Sequence, residues 1–215
     1  MKFVHALTLP LLATSMALAA CGNDGAQNSA SSESTPAQEQ FWQSLSQLCG
    51  MAYRGELTEG SEGARASFGA EEMIMYAVTC TDDQIDIPFH VGEDRSRTWV
   101  FTRLADGGLR LKHDHRHEDG SEDEITMYGG DTAEAGSDVA QAFPADAHSI
   151  DMFAAHVEES PGLAGAEFNL WTVEVHPGQI FAYQLTRTND PGTRFRVEFD
   201  LTEPVDAPPA AWGHE

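Results

Sequence analysis

The chain has 215 residues, room for one domain of moderate size with appendages, and a formal charge of −23 from 12 Lys and Arg against 35 Asp and Glu. So acidic a surface is repelled by phosphate backbones and by anionic lipid headgroups. Nucleic acid is therefore excluded as the expected partner, and any membrane contact must come from something other than the folded surface. The acid excess itself is read as solubility, with weak capture of cations as the sharper alternative.

Residues 1–20 are expected to be a secretory signal peptide: Lys2 gives a positive start, and an apolar run from Leu7 ends in small residues. The run is too short for a convincing spanning helix. Leu18, Ala19, Ala20 and Cys21 resemble the lipobox of bacterial lipoproteins. That resemblance implies that Cys21 is acylated, with palmitate among the attached chains, and becomes the mature N-terminus of a periplasm-facing protein in the cell envelope. The membrane is then a partner through the lipid, each buried methylene contributing about 0.8 kcal/mol. Gly22 stands where an aspartate would imply inner-membrane retention, so the pattern implies the outer membrane. With Cys21 lipidated, Cys49 and Cys80 remain, and an even pair in an oxidising compartment is expected to form a disulfide. Closing that loop would stabilise the fold by roughly 3–4 kcal/mol in the chain-entropy account.

Residues 21–38 comprise the lipidated cysteine and a tether rich in Ser, Ala and Asn. Thr35 to Gln38 has the form of a capping box with proline at the first helical position. A short helix should follow, with Phe41, Leu45, Leu48 and Cys49 on one face and Gly50 as its stop. From residue 39 to 203 the chain reads as a β-rich domain. Ala52 to Thr58 and Met73 to Thr81 are candidate strands, separated by a small-residue loop over Gly60 to Ala70. Ile85, Ile87, Phe89 and Val91 alternate with Asp86, Pro88 and His90, a half-buried strand in which proline predicts an edge or bulge. Trp99 and Phe101 share one face of the next strand.

Leu109 to Gly130 is read as a hairpin. Leu109, Leu111, His113, His115 and His117 fall on one face, and Arg110, Lys112, Asp114, Arg116 and Glu118 on the other, which should be wet. Asp119 to Ser121 supplies the turn, and Ile125 to Tyr128 the returning strand. A second helix is expected near 149–158, with Ile150, Phe153, Ala154 and Val157 on its buried face. Strands over Leu170 to Val175, Phe181 to Leu185 and Phe195 to Leu201 follow, with Pro177-Gly178 and Pro191-Gly192 at the turns. Residues 204–215 are a tail rich in Pro and Ala.

Eight or nine amphipathic strands joined mostly by short turns predict an antiparallel meander that curls on itself. With its N-terminal helix the arrangement looks like the lipocalin and calycin type of barrel; a two-sheet β-sandwich is the alternative.

Two chemistries suggest themselves. An open-mouthed barrel would let Trp99, Phe101, Trp171 and Phe181 line a pocket for a small apolar ligand or lipid. Otherwise these aromatics form the core. A His-x-His pair on a strand can present two imidazoles to one Zn²⁺, so one pair among His113, His115 and His117 could bind metal, completed by Glu122, Glu124, His90 or His176. All three cannot share one ion, because positions i to i+4 of a strand span about 13 Å. Gly107 followed by His113 and His115 resembles the opening of the cupin motif, but Glu118 comes too early and Glu122 too late for its acid. No Gly-x-Ser-x-Gly elbow or phosphate-binding glycine loop is present. The third reading is a non-enzymatic envelope interaction module acting through its acidic surface.

Overall fold

The computed structural model describes residues 36–214. The expected signal peptide, Cys21, Thr35 and most of the tether lie outside them. One antiparallel sheet of 11 strands curls into a nearly closed barrel. Its strands are β1 (Ala52–Glu59), β2 (Met73–Tyr76), β3 (Thr79–Cys80), β4 (Gln84–Val91), β5 (Asp94–Arg103), β6 (Leu109–His115), β7 (Tyr128–Asp131), β8 (Ala140–Pro144), β9 (Asn169–His176), β10 (Ile180–Arg187) and β11 (Asp190–Val205). Around the sheet they run β7-β6-β5-β4-β2-β1-β11-β10-β9-β8, with β3 beside β4. Three helices accompany them: α1 (Ala37–Ser46), α2 (Glu62–Phe68) and α3 (Ala147–His156).

Alternation explains which side chains face inward. Ile85, Ile87, Phe89, Trp99, Phe101, Leu109, Leu111, Trp171, Val173, Phe181, Val197 and Phe199 are all buried in one continuous core. Burying each such side chain stabilises by roughly 1.5–3 kcal/mol. Pro88 has no N–H to give, and it lies in the interval where β2 has ended and β3 has not begun. β2 pairs with β4 as far as Phe89, and β3 pairs with it from Asp86. The expected single strand over Met73 to Thr81 is thus two short ones. The disulfide between Cys49 and Cys80, 31 residues apart, ties the end of the α1 segment to β3.

β7 and β8 meet at the seam, where backbone pairing is replaced by the start of α3. Asp146 N–H donates to Gly129 O at 2.9 Å. Ser149 Oγ accepts from Gly129 N–H at 2.7 Å and donates to Gly129 O at 2.9 Å. Asp146 also caps α3 and accepts from Lys112 Nζ of β6 at 2.5 Å. The approach is so close that a Cβ on Gly130 would stand 1.8 Å from Pro144 O.

Four expectations need correction. The loop over Gly60 to Ala70 contains α2, started by Ser61, whose hydroxyl accepts from Ala64 N–H at 3.2 Å. Its only large apolar residue is Phe68, so it has no helical period to read. The returning strand of the histidine hairpin begins at Tyr128, not Ile125, because Asp119 to Met127 wanders as a long loop. β8, short and carrying Phe143 as its one large apolar side chain, was not anticipated and precedes the segment read as helix. The Pro/Ala-rich tail is docked. β11 continues to Val205 opposite Ala52, then Arg95 Nη1 donates to Ala210 O, Trp212 N–H to Arg95 O, and His214 Nε2 meets Asp114 Oδ2 at 2.9 Å. Asp114, expected to be wet, is consequently buried on the outer side of β6, as is its pairing partner Thr98 on β5.

Candidate functional site

The two ends of the barrel differ in what covers them. Helix α1 lies against β8 and β9, sinks Phe41, Trp42 and Leu45 into the core, and stacks Trp42 beneath Arg103 at the end of β5. At the opposite end the cover is α2, which contributes Phe68, edge-on to Phe195 at 5.2 Å and beneath the Arg97 guanidinium at 5.5 Å.

Strand register assembles the site at that second end. On β5 and β6, Trp99 pairs with His113 and Arg97 with His115; on β7, Tyr128 pairs with His113; on β10 and β11, Leu185 pairs with Phe195. The rings form flat walls. Phe89 stacks on Trp99 at 4.9 Å and 10°, Trp99 on Tyr183 at 4.7 Å and 20°, and His113 on Tyr128 at 4.6 Å and 11°. Between them is a cavity of about 240 Å³, bounded by Phe68, Phe89, Trp99, Tyr183, Leu185 and Phe195 with Arg97 and His115 at its rim. A second cavity, of about 370 Å³, shares His115, Tyr128, Tyr183 and Leu185 and reaches Trp171, Asp123 and Arg187. The His115–Tyr128 pair therefore stands as a partition between two chambers of one mouth. A larger hollow of about 610 Å³ near Arg54, Glu56, Glu198 and Glu203 is walled mainly by charge.

Each buried polar group here has a partner. His113 Nε2 lies 2.8 Å from Tyr183 Oη and its Nδ1 3.1 Å from Tyr128 O. A carbonyl oxygen only accepts, so Nδ1 carries the proton. Burial lowers the pKa of His113 to about 3 and keeps the ring neutral, so Nε2 accepts the Tyr183 hydroxyl proton. His115 Nε2 and Tyr128 Oη are 3.1 Å apart. Burial first, and Arg97 second, lower the pKa of His115 to about 4. Burial raises Tyr128 to about 12 and Tyr183 well above the ordinary tyrosine value, so both phenols keep their protons. The site holds its imidazoles and phenols uncharged.

The predicted residues divide accordingly. His113 is inside, His115 at the rim and His117 exposed beyond the end of β6, so the three imidazoles do not converge. Among the described residues no group of three or more His, Cys, Asp and Glu is placed to hold a metal ion. Of the proposed completing ligands, Glu122 pairs with Arg116, His176 lies 3.5 Å from Glu174, and Glu124 is exposed. His90 is buried on β4 with its Nε2 lacking a hydrogen-bond partner among the described residues. Trp99 bounds the first cavity and Trp171 the second, whereas Phe101 and Phe181 bound neither and fill the closed half. Arg97, Tyr128, Tyr183, Leu185, Phe195 and Phe68 were not singled out from sequence as site residues. All but Phe68 sit on strands whose alternation was legible; Phe68 had no signal. No family model matches the chain, and neither the curated proteins nor the solved structures contain a significant match to it.

Proposed function

We propose that this chain is a cell-envelope lipoprotein, anchored through acylated Cys21 and facing the periplasm, that holds a small apolar ligand in the mouth of its barrel. The lipobox residues Leu18 to Cys21 support the anchor, and Gly22 favours the outer membrane. The observation that carries the binding reading is the cavity of about 240 Å³ with flat aromatic walls at the end of the barrel opposite α1. Well-packed interiors leave few voids larger than a water molecule, so a hollow walled by Phe, Trp and Tyr points to an occupant.

Native mass spectrometry of the purified full chain tests this. The expected result is a co-purified small molecule, removed by organic extraction. Leu185→Trp fills the cavity from a half-buried position and should abolish the added mass while leaving the folded state intact by circular dichroism. Unliganded protein from its native host overturns the reading, as does a bound molecule that survives in Leu185→Trp.

A further inference from the structure

The chemistry of the walls narrows the occupant, and this inference rests on the ligand-binding reading above. Charge comes first. Arg97, the cation at the rim, is held by Asp94 Oδ2 at 2.6 Å and has its guanidinium over Phe68. Arg187 borders the second chamber alone, its N–H groups donating to Asn169 Oδ1 and to the carbonyl oxygens of Ala164 and Gly162. His113 and His115 are neutral. A carboxylate entering the first chamber would therefore surrender its water without meeting an unpaired cation, a transfer that costs several kcal/mol. A cation fares no better: Arg97 already occupies the aromatic face at the rim, and its neighbouring acid is engaged.

Shape and hydrogen bonding come next. Phe89, Trp99 and Tyr183 stack in series with interplanar angles of 10° and 20°, which makes a rigid aromatic wall that suits a rigid ring better than a flexible chain. Two places keep polar capacity. Tyr183 gives its proton to His113 Nε2 at 2.8 Å, so its oxygen, met by the Trp99 N–H and bordering both chambers, offers only a lone pair. The neutral His115–Tyr128 pair makes one hydrogen bond and keeps one donor. A hydroxyl or N–H on the ligand meets the Tyr183 lone pair, and a hydroxyl can also accept from the pair at the rim.

We propose that the mouth takes an uncharged, planar ring compound bearing a hydroxyl or N–H donor, a phenol in the simplest case, packed against the Phe89–Trp99–Tyr183 wall with its donor on the Tyr183 oxygen. The ring exchanges hydration for dispersion against the aromatic walls, and the donor adds a hydrogen bond that an aliphatic or anionic ligand cannot make.

Four probes titrated into the full chain at neutral pH, followed by tryptophan fluorescence and calorimetry, test the assignment. They are 2-naphthol, its anionic counterpart 2-naphthoate, its donorless counterpart 2-methoxynaphthalene, and tetramethylammonium. The expected order places 2-naphthol about tenfold or more tighter than 2-naphthoate and several-fold tighter than 2-methoxynaphthalene. Asp94→Asn, at a partly exposed site, releases the Arg97 guanidinium and should shrink the gap between 2-naphthol and 2-naphthoate. Tighter or equal binding of 2-naphthoate, 2-methoxynaphthalene or tetramethylammonium by the unaltered chain overturns the ligand class while leaving the mouth a binding site. A gap unmoved by Asp94→Asn overturns the charge argument. Binding of none of the four overturns the ligand class and the binding reading together.

Discussion

The closed and open ends of this barrel are made from the same strands, finished in two ways. Toward α1 the inward positions are Phe101, Leu109, Leu111, Val175 and Phe181, met by Phe41 and Leu45 from the helix. Toward α2 the same strands carry Arg97, His113, His115 and Tyr183, and the helix above them offers Phe68 alone. The first end is filled by buried apolar side chains, whereas the second leaves a hollow and spends its hydrogen bonds on holding rings in place. Apolar packing is concentrated at one end, and the polar side chains of the interior at the other.

Three experiments press on that contrast. The largest effect is expected from Phe41→Ala, which removes a fully buried ring from the plugged end. Urea unfolding should report a loss of about 3–5 kcal/mol; a loss below about 1 kcal/mol would mean that α1 caps the barrel without stabilising it. Tyr183→Phe at the open end should cost less, about 1–3 kcal/mol, because it leaves His113 Nε2 without its donor while conserving the ring. An unchanged midpoint would show that water reaches that nitrogen. The third experiment concerns pH. The folded-state values of His113 and His115, about 3 and about 4, lie below the ordinary 6.5, so the unfolded chain takes up protons first. Their contribution is therefore whole above about pH 6.5 and is lost as the pH falls toward 4 and then 3. Each contributes at most the roughly 1.4 kcal/mol per pH unit of one coupled proton. In His115→Asn the fall in stability between neutral pH and pH 4 should be shallower than in the unaltered chain, and equal slopes would contradict the burial of that ring.

The in-and-out pattern of most strands was legible because alternation is a local property: Phe195, Val197, Phe199 and Leu201 point inward in the barrel as they do on paper. The mouth was legible only in part. His113 and His115 could be placed on the inner face, but their partners Tyr183 and Tyr128 come from β10 and β7, and no periodicity tells which strands will face one another. The metal reading rested on three imidazoles sharing a row, and the row ran past the end of β6, leaving His117 in water. The wet face of β6 was misjudged for a similar reason: nothing in Asp114 announces that residues 206–214 will cross above it.

The order of the strands divides the chain in a way that bears on how it forms. β1 to β7 occupy one contiguous half of the sheet and β8 to β11 the other. Within each half, strands pair with near neighbours in sequence, and the seam between β7 and β8 bridges only the loop between Asp131 and Ala140. The remaining join, β1 with β11, brings Ala52 to Val205. Each half can assemble from local hairpins, but the cylinder closes only when the opposite extremities of the domain find each other, and that encounter carries the main loop-closure cost of acquiring the native state. During synthesis, a ribosome must release nearly the whole domain before the structure can become continuous.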